Sequence, residues 1–332
     1  MLQENYSLKN LNTFGINAYA KYFAAFTSID ELGELTGYKD PLFVLGGGSN
    51  ILFTKDYDGL VIKNGIRGID KINEDDDAVY LKAGAGENWH SFVLYCLENN
   101  YAGVENLALI PGNTGATPMQ NIGAYGVEIK DVFHSLEAFH LGDKKIVTFN
   151  NADCGFDYRE SVFKNKYKNQ FVITSVTYRL NKKPVFNTSY GAIEAELEKM
   201  NISSLSIQSI ARAVINIRSS KLPDPEVIGN AGSFFKNPFM DTGIFNEMKN
   251  EFPGIVAYPF SGGMKLAAGW LIEQCGWKGY RNGDAGCHEK QALVLVNYGN
   301  ARGSDIYSLS EEILKSVQQK FNVTLQREVN II

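Results

Sequence analysis

Residues 111–126, PGNTGATPMQNIGAYG, place four glycines (Gly112, Gly115, Gly123, Gly126) and two prolines in sixteen positions with almost no side-chain bulk. So little volume suits a backbone lying against a ligand with its amides as donors, because glycine accepts positive φ and leaves the main chain uncovered. The same composition equally suits a long surface loop of turn residues. A second cluster lies upstream. Residues 42–50 read LFVLGGGSN, an apolar run that breaks into three glycines and then Ser49 and Asn50, the order expected where a strand ends in an anion-binding nest. No dinucleotide fingerprint occurs: the last glycine of G-x-G-x-x-G would fall on Ile51 counting from Gly46, and on Trp89 counting from Gly84 in the separate stretch Gly84-Ala85-Gly86. No G-x-x-x-x-G-K-[ST] occurs either, so a P-loop is excluded.

Three further side chains have types suited to chemistry. Ser233 sits in GNAGSFFKNP, where small residues precede a hydroxyl and two phenylalanines follow it; alone, this reads as a strand entering a core with the serine satisfying a turn. Arg159, in FDYRES, carries planar donors that can fork onto a carboxylate, although a surface arginine looks the same. Glu328, in LQREV, is followed by Val329 and Ile331 in strand-like alternation. The four cysteines (Cys96, Cys154, Cys275, Cys287) form no C-x-x-C, and the four histidines are scattered. Cys287 and His288 are adjacent, which is poor geometry for two ligands on one zinc, so neither disulfides nor a metal site is expected.

At 332 residues the chain is long enough for two or three domains. A formal net charge of -5 provides no basic field for a nucleic-acid backbone. The start, MLQENYSLKNLN, lacks the basic flank and apolar stretch of a signal peptide, and no run of 18 apolar residues occurs. A cytoplasmic protein with neither membrane nor nucleic acid as partner is expected.

Around the first glycine cluster, residues 42–45 and 60–63 read as short strands. Alternation at 79–82 leads to Gly84, and 91–100 put Phe92, Cys96 and Leu97 on one helical face. Strands are expected at 132–141, 145–149 and 171–180, making 68–180 an α+β half. Residues 181–187 are a polar connection. An amphipathic helix over 206–219 carries Ile207, Ile210, Ala211, Val214 and Ile217 at helical spacing and stops before Pro223 and Pro225. Beyond it, helices over 265–275 and 304–321 alternate with an apolar strand at 292–296, which suggests an α/β unit.

Taken in this order, the glycine stretches resemble the pyrophosphate-contacting loops of the PCMH-type flavoenzyme superfamily typified by vanillyl-alcohol oxidase, which binds FAD without a Rossmann fold. Within it, LGGGSN, PGNTGATPMQNIGAYG, YRES (158–161), KLPDP (221–225), GNAGSFFKNP and REV (327–329) are similar to the UDP-N-acetylenolpyruvoylglucosamine reductase family of peptidoglycan synthesis, in its type with a tyrosine loop. The resemblance implies an α+β fold: a two-part PCMH-type FAD-binding domain (1–67 and 68–218, with the connecting loop and helix) followed by an α/β substrate-binding C-terminal domain (219–332). It implies non-covalent FAD held by Gly46, Gly47, Gly48, Ser49 and Asn50 and by Pro111, Gly112, Gly115, Ala116, Gln120, Asn121, Gly123 and Ala124. Ser233 becomes the proton donor, Arg159 a clamp on the substrate carboxylate, and Glu328 a partner in holding charge on the enol. Tyr190 lies on a loop that closes over uridine diphosphate, and Lys221, Lys236, Asn237, Tyr258, Lys265 and Gln291 are candidate substrate contacts. NADPH and UDP-N-acetylglucosamine enolpyruvate are implied to use one cleft in turn, since no second nucleotide motif exists, and a monomer is expected. Two other readings compete: an oxygen-using oxidase of the same superfamily, and a non-catalytic sugar-nucleotide binder.

Overall fold

The computed structural model describes residues 2–38, 41–189 and 191–332. The chain forms two compact units that interleave in sequence, where the sequence suggests three consecutive segments. The first unit comprises residues 1–6, 20–47 and 58–220, and the second 7–19, 48–57 and 221–332.

In the first unit, the apolar run before the glycine cluster is the edge strand Leu42–Leu45, parallel to Tyr57–Asn64 with Leu42 opposite Leu60 and Leu45 opposite Lys63. Tyr19–Phe26 and then Gln3–Ser7 complete a four-stranded sheet. A second, antiparallel sheet runs in the order Lys145–Asn150, Phe133–His140, Phe171–Asn181, Ala78–Gly84, Ile69–Glu74. Four of these strands fall where the sequence places them; the edge strand Ile69–Glu74, almost entirely exposed, carries no apolar alternation and is not expected from the sequence. Helix Trp89–Glu98 starts where the Asn88 carboxamide accepts the Ser91 amide at 2.9 Å, and it buries Trp89, Phe92, Val93, Cys96 and Leu97. Helix Ile207–Lys221 buries the periodic face read from its sequence, including Ile210, Val214 and Ile217. These side chains join one apolar core with Leu81, Val176 and Tyr178 of the second sheet. Each fully buried large side chain contributes roughly 1.5–3 kcal/mol.

The second unit has a four-stranded antiparallel sheet, in the order Gly229–Ser233, Val294–Asn297, Ala285–Cys287, Arg281–Asn282. A three-stranded one holds Phe239–Asp241, Gly263–Leu266 and Ala257–Phe260. Helix Gly303–Phe321 presents Ile306, Leu309, Ile313 and Val317 inward and ends at Asn322 in the left-handed conformation, as its 3.6-residue spacing requires. The expected helix over 265–275 is shorter in the structure. Lys265 and Leu266 belong to strand Gly263–Leu266, paired with Tyr258 and Ala257, and the helix is confined to Ala268–Gln274, where the Asn237 carboxamide accepts the Ala268 amide at 3.0 Å. Segment 7–19 is stitched into this unit by backbone contacts. Thr13 donates to the Gly48 carbonyl at 3.1 Å, and Asn230 donates to the Thr13 carbonyl at 3.0 Å.

Candidate active site

Strand Leu42–Leu45 delivers the first glycine cluster to the edge of its sheet. A methyl added at Gly47 would lie 2.8 Å from Gly112 Cα and 2.9 Å from the Asn113 carboxamide oxygen, so the two glycine loops are in backbone contact and only glycine fits. A methyl at Gly46, by contrast, would meet nothing within 4 Å. The cluster is therefore tight on one side and open on the other. In the second unit, Gly48 has φ +66° and a Cβ there would fall 1.9 Å from the Leu11 carbonyl oxygen.

The long loop is laced to the end of strand Ala78–Gly84. Thr114 donates to the Glu87 carbonyl at 2.9 Å, Gly115 to Ala85 at 3.0 Å, and Ala116 to Asn113 at 3.0 Å. The Thr114 hydroxyl reaches the Gly84 carbonyl at 2.5 Å, and the Thr117 hydroxyl meets the Tyr178 phenol at 2.8 Å. The expectation that this loop's amides serve a ligand is thus narrowed, because those of Thr114, Gly115 and Ala116 already donate within the protein. Among the described residues, the amides of Gly46, Gly47 and Gly112 have no protein acceptor. Those donors face the requirement of an anion.

Further along the loop, Asn121 is fully buried. Its carboxamide donates to Glu128 and to the Asp157 carbonyl, both at 3.1 Å, and accepts the Lys130 amide at 3.0 Å. Arg159 has φ +56°, and its guanidinium donates to the Gly123 carbonyl at 2.5 Å and to the Asn121 carbonyl at 3.4 Å. Glu128 stands 3.9 Å away and also pairs with Lys130 at 2.9 Å. Arg159 is thus seated on the same loop that carries Gln120, Gly123 and Ala124. Glu128, which the sequence reading did not select, helps hold it there; its spacing within VEIKD carries no signal of that role.

In the second unit, Ser233 ends strand Gly229–Ser233 after a bulge between Asn230 and Ser233, with Gly232 at φ +69°. The bulge turns the hydroxyl outward, and Ser233 is exposed while Phe234 and Phe235 are buried and anchor it from below. A methyl at Gly232 would also meet open space. Glu328 donates its amide to the Phe234 carbonyl at 2.8 Å, Lys236 donates to Gln326 at 2.8 Å, and the Asn50 carboxamide donates to the Glu328 carbonyl at 3.3 Å. Three distant segments, with Asn50, Ser233 and Glu328, are thereby brought together. Arg327 turns to the Gly303–Phe321 helix, bonded to Ser310 at 2.9 Å and ion-paired with Glu311. That pairing explains a cation directly beside Glu328 in sequence.

The candidate substrate contacts are more dispersed. Tyr258 and Lys265 are paired across neighbouring strands, with the Lys265 ammonium 4.4 Å from the Phe260 ring centre. Asn237 caps helix Ala268–Gln274, while Gln291 turns back to accept the Leu293 amide at 3.3 Å. Lys221 is exposed at the end of helix Ile207–Lys221. Tyr190 lies outside the described residues.

Residues 21–150 match the family described as FAD binding domain, and residues 224–332 match the one described as UDP-N-acetylenolpyruvoylglucosamine reductase, C-terminal domain. The whole chain is 52% identical to the UDP-N-acetylenolpyruvoylglucosamine reductase of Flavobacterium johnsoniae, over 99% of that relative. The chain belongs to the UDP-N-acetylenolpyruvoylglucosamine reductase family. The reductase of Amoebophilus asiaticus is also 52% identical, again across 100% of this chain and 99% of its own. The crystal structure of the Thermus caldophilus reductase (MurB) superposes with a TM-score of 0.70 at 24% identity, covering 100% of this chain and 98% of that one, which shows the shared fold. As in other members of this reductase family, the cofactor is FAD, bound by the domain at 21–150. The residues present fit it: the uncovered side of Gly46 and the vacant amides of Gly46, Gly47 and Gly112 suit a diphosphate that approaches the main chain.

Proposed function

We propose that this chain reduces the enolpyruvyl ether of UDP-N-acetylglucosamine enolpyruvate to UDP-N-acetylmuramate, with NADPH as reductant, in peptidoglycan precursor synthesis. The observation that carries this reading is the full-length 52% identity to reductases of that name. FAD bound at the glycine loops supplies a hydride carrier.

The chemistry left to the chain's own residues follows from the substrate. Hydride added to the terminal vinyl carbon leaves an electron pair on the adjacent carbon, delocalised onto its carboxylate. Arg159, with its donors already oriented by the Gly123 and Asn121 carbonyls, is the cation proposed to hold that carboxylate. Ser233 is proposed to give its hydroxyl proton to the adjacent carbon, completing the saturated ether. Support comes from its outward exposure after the bulge and the open space at Gly232. Glu328, bonded through its amide to Phe234, is proposed to hold charge and to return the proton to Ser233. Tyr190, Lys221, Lys236, Asn237, Tyr258, Lys265 and Gln291 are proposed for the uridine diphosphate and sugar, with NADPH and the sugar nucleotide taking turns in one cleft of a monomer.

Among the described residues no helix is long and apolar enough to cross a membrane, and we place the enzyme in the cytoplasm. The test is spectroscopic. Anaerobic NADPH should bleach the visible absorbance of the purified protein, and the enolpyruvyl sugar nucleotide should restore it. Recovery only on admitting air would instead identify an oxidase, and no bleaching would remove NADPH as the reductant.

A further inference from the structure

Arg218 lies on the last turn of helix Ile207–Lys221 in the first unit, partly buried. Its Nε donates to the Leu109 carbonyl at 3.3 Å, and this is its one hydrogen bond among the described residues. The groups that face it are His90 and Tyr125. The His90 Nδ1 accepts the Leu109 amide at 3.0 Å, which leaves the proton of a neutral ring on Nε2, and burial together with the Arg218 charge holds His90 below its ordinary pKa. Burial pushes the Tyr125 phenol up, so it too is uncharged. No carboxylate among the described residues reaches the guanidinium. The carbonyls at the helix C-terminus offset only part of its charge.

Even a partly buried cation carries a desolvation cost when no counter-charge offsets it, and arginine remains ionised regardless. The surrounding chain makes the placement informative. Leu109 directly precedes the long glycine loop and has φ +58°, while Tyr125 is near the loop's end at φ +50°. Arg218 therefore sits where the two ends of the cofactor loop come together, with its two terminal nitrogens committed to no acceptor among the described residues.

Resting on the assignment of FAD to this domain, we propose that Arg218 is the counter-cation for an anionic or electron-rich group of the cofactor: its diphosphate, or the dioxo end of its ring. Either source takes the planar donors of a guanidinium.

The experiment compares wild-type apoprotein with Arg218→Met and Arg218→Lys by titration with FAD and with riboflavin, alongside thermal unfolding of each apoprotein. Loss of charge-assisted hydrogen bonds should weaken FAD binding in Arg218→Met by about 10- to 100-fold, with apoprotein unfolding no lower than wild type, while Arg218→Lys keeps part of the affinity. Unchanged riboflavin affinity in Arg218→Met, with inorganic pyrophosphate stabilising wild type but not the variant, assigns the charge to the diphosphate. A parallel loss of riboflavin affinity assigns it to the ring. FAD affinity equal to wild type in Arg218→Met overturns the proposal, as does a loss that tracks a destabilised apoprotein in both variants. A wild-type protein that binds no flavin refutes the FAD assignment itself, a separate outcome.

Discussion

Alanine at position 46 tests whether the open side of the first glycine loop is where the cofactor lies. The added methyl meets no protein atom within 4 Å, and Gly46 is not among the residues with positive φ, so the folded chain accepts it without strain. Such a substitution leaves stability unchanged or raises it by about 0.4–1 kcal/mol through the unfolded chain. The same methyl occupies the space assigned to the diphosphate. Displacing an oxygen from the Gly46 and Gly47 amides removes one or two charge-assisted hydrogen bonds, a loss of about 2–4 kcal/mol, so the FAD dissociation constant should rise roughly 30- to 1,000-fold. Gly48→Ala is the contrasting case. There the left-handed backbone costs about 1–2 kcal/mol for any other residue, and the Cβ would sit 1.9 Å from the Leu11 carbonyl oxygen. That variant should unfold at lower temperature even without FAD. The assay is fluorescence titration of apoprotein with FAD, paired with thermal unfolding. Gly46→Ala that binds FAD like wild type, or whose apoprotein is as unstable as Gly48→Ala, refutes the reasoning.

Ser233→Ala should leave NADPH bleaching of the bound flavin near normal while slowing recovery by the enolpyruvyl substrate by about two to four powers of ten; equal loss in both half-reactions would remove its assigned role. Arg159→Lys should lower kcat/KM for the enolpyruvyl substrate by about 100-fold, because one ammonium cannot span the Gly123 and Asn121 carbonyls and fork onto a carboxylate. Wild-type kinetics in that variant would exclude the clamp. Glu105 is buried, and burial raises its pKa above the ordinary carboxylate value despite the Gly103 amide at 2.6 Å. Folding therefore favours its protonated form, so the wild type loses stability relative to Glu105→Gln as pH climbs from about 4.5 through the raised value, and the difference then levels off. Denaturant midpoints of both proteins across that range check the sign.

Local pattern made much of this architecture legible. The helices at 207–221 and 303–321 announce themselves because their buried faces repeat at 3.6 residues, and the strand before the first glycine cluster because it is a short apolar run that breaks into glycine. The motifs gave the family directly, because they are spread along nearly the whole chain. What escaped was set by distant partners. Lys265 and Leu266 have helix-compatible neighbours on one side, yet pairing with Tyr258 and Ala257 makes them strand, and the Asn237 carboxamide fixes the helix start at Ala268. Likewise, nothing in residues 114–116 declares that their amides bond to Glu87, Ala85 and Asn113. Arg218 stayed hidden for the same reason: on a helix end it looks like a solvated cation, and only the surrounding His90, Tyr125 and Leu109 mark it out.

The interleaving of the two units bears on how the protein is made. A chain emerging amino end first presents residues 58–220 as one uninterrupted block, with both strands and helices of the larger apolar core, so that part can fold during synthesis. Segments 7–19 and 48–57 appear earlier but have to wait, since Asn50, Ile51 and Leu52 find their bonding partners at Glu328, Asn330 and Ile331. The hydrogen-bonded frame around Ser233 and Glu328 is therefore among the last parts to assemble, and an unfinished chain that already carries a formed first unit still lacks it.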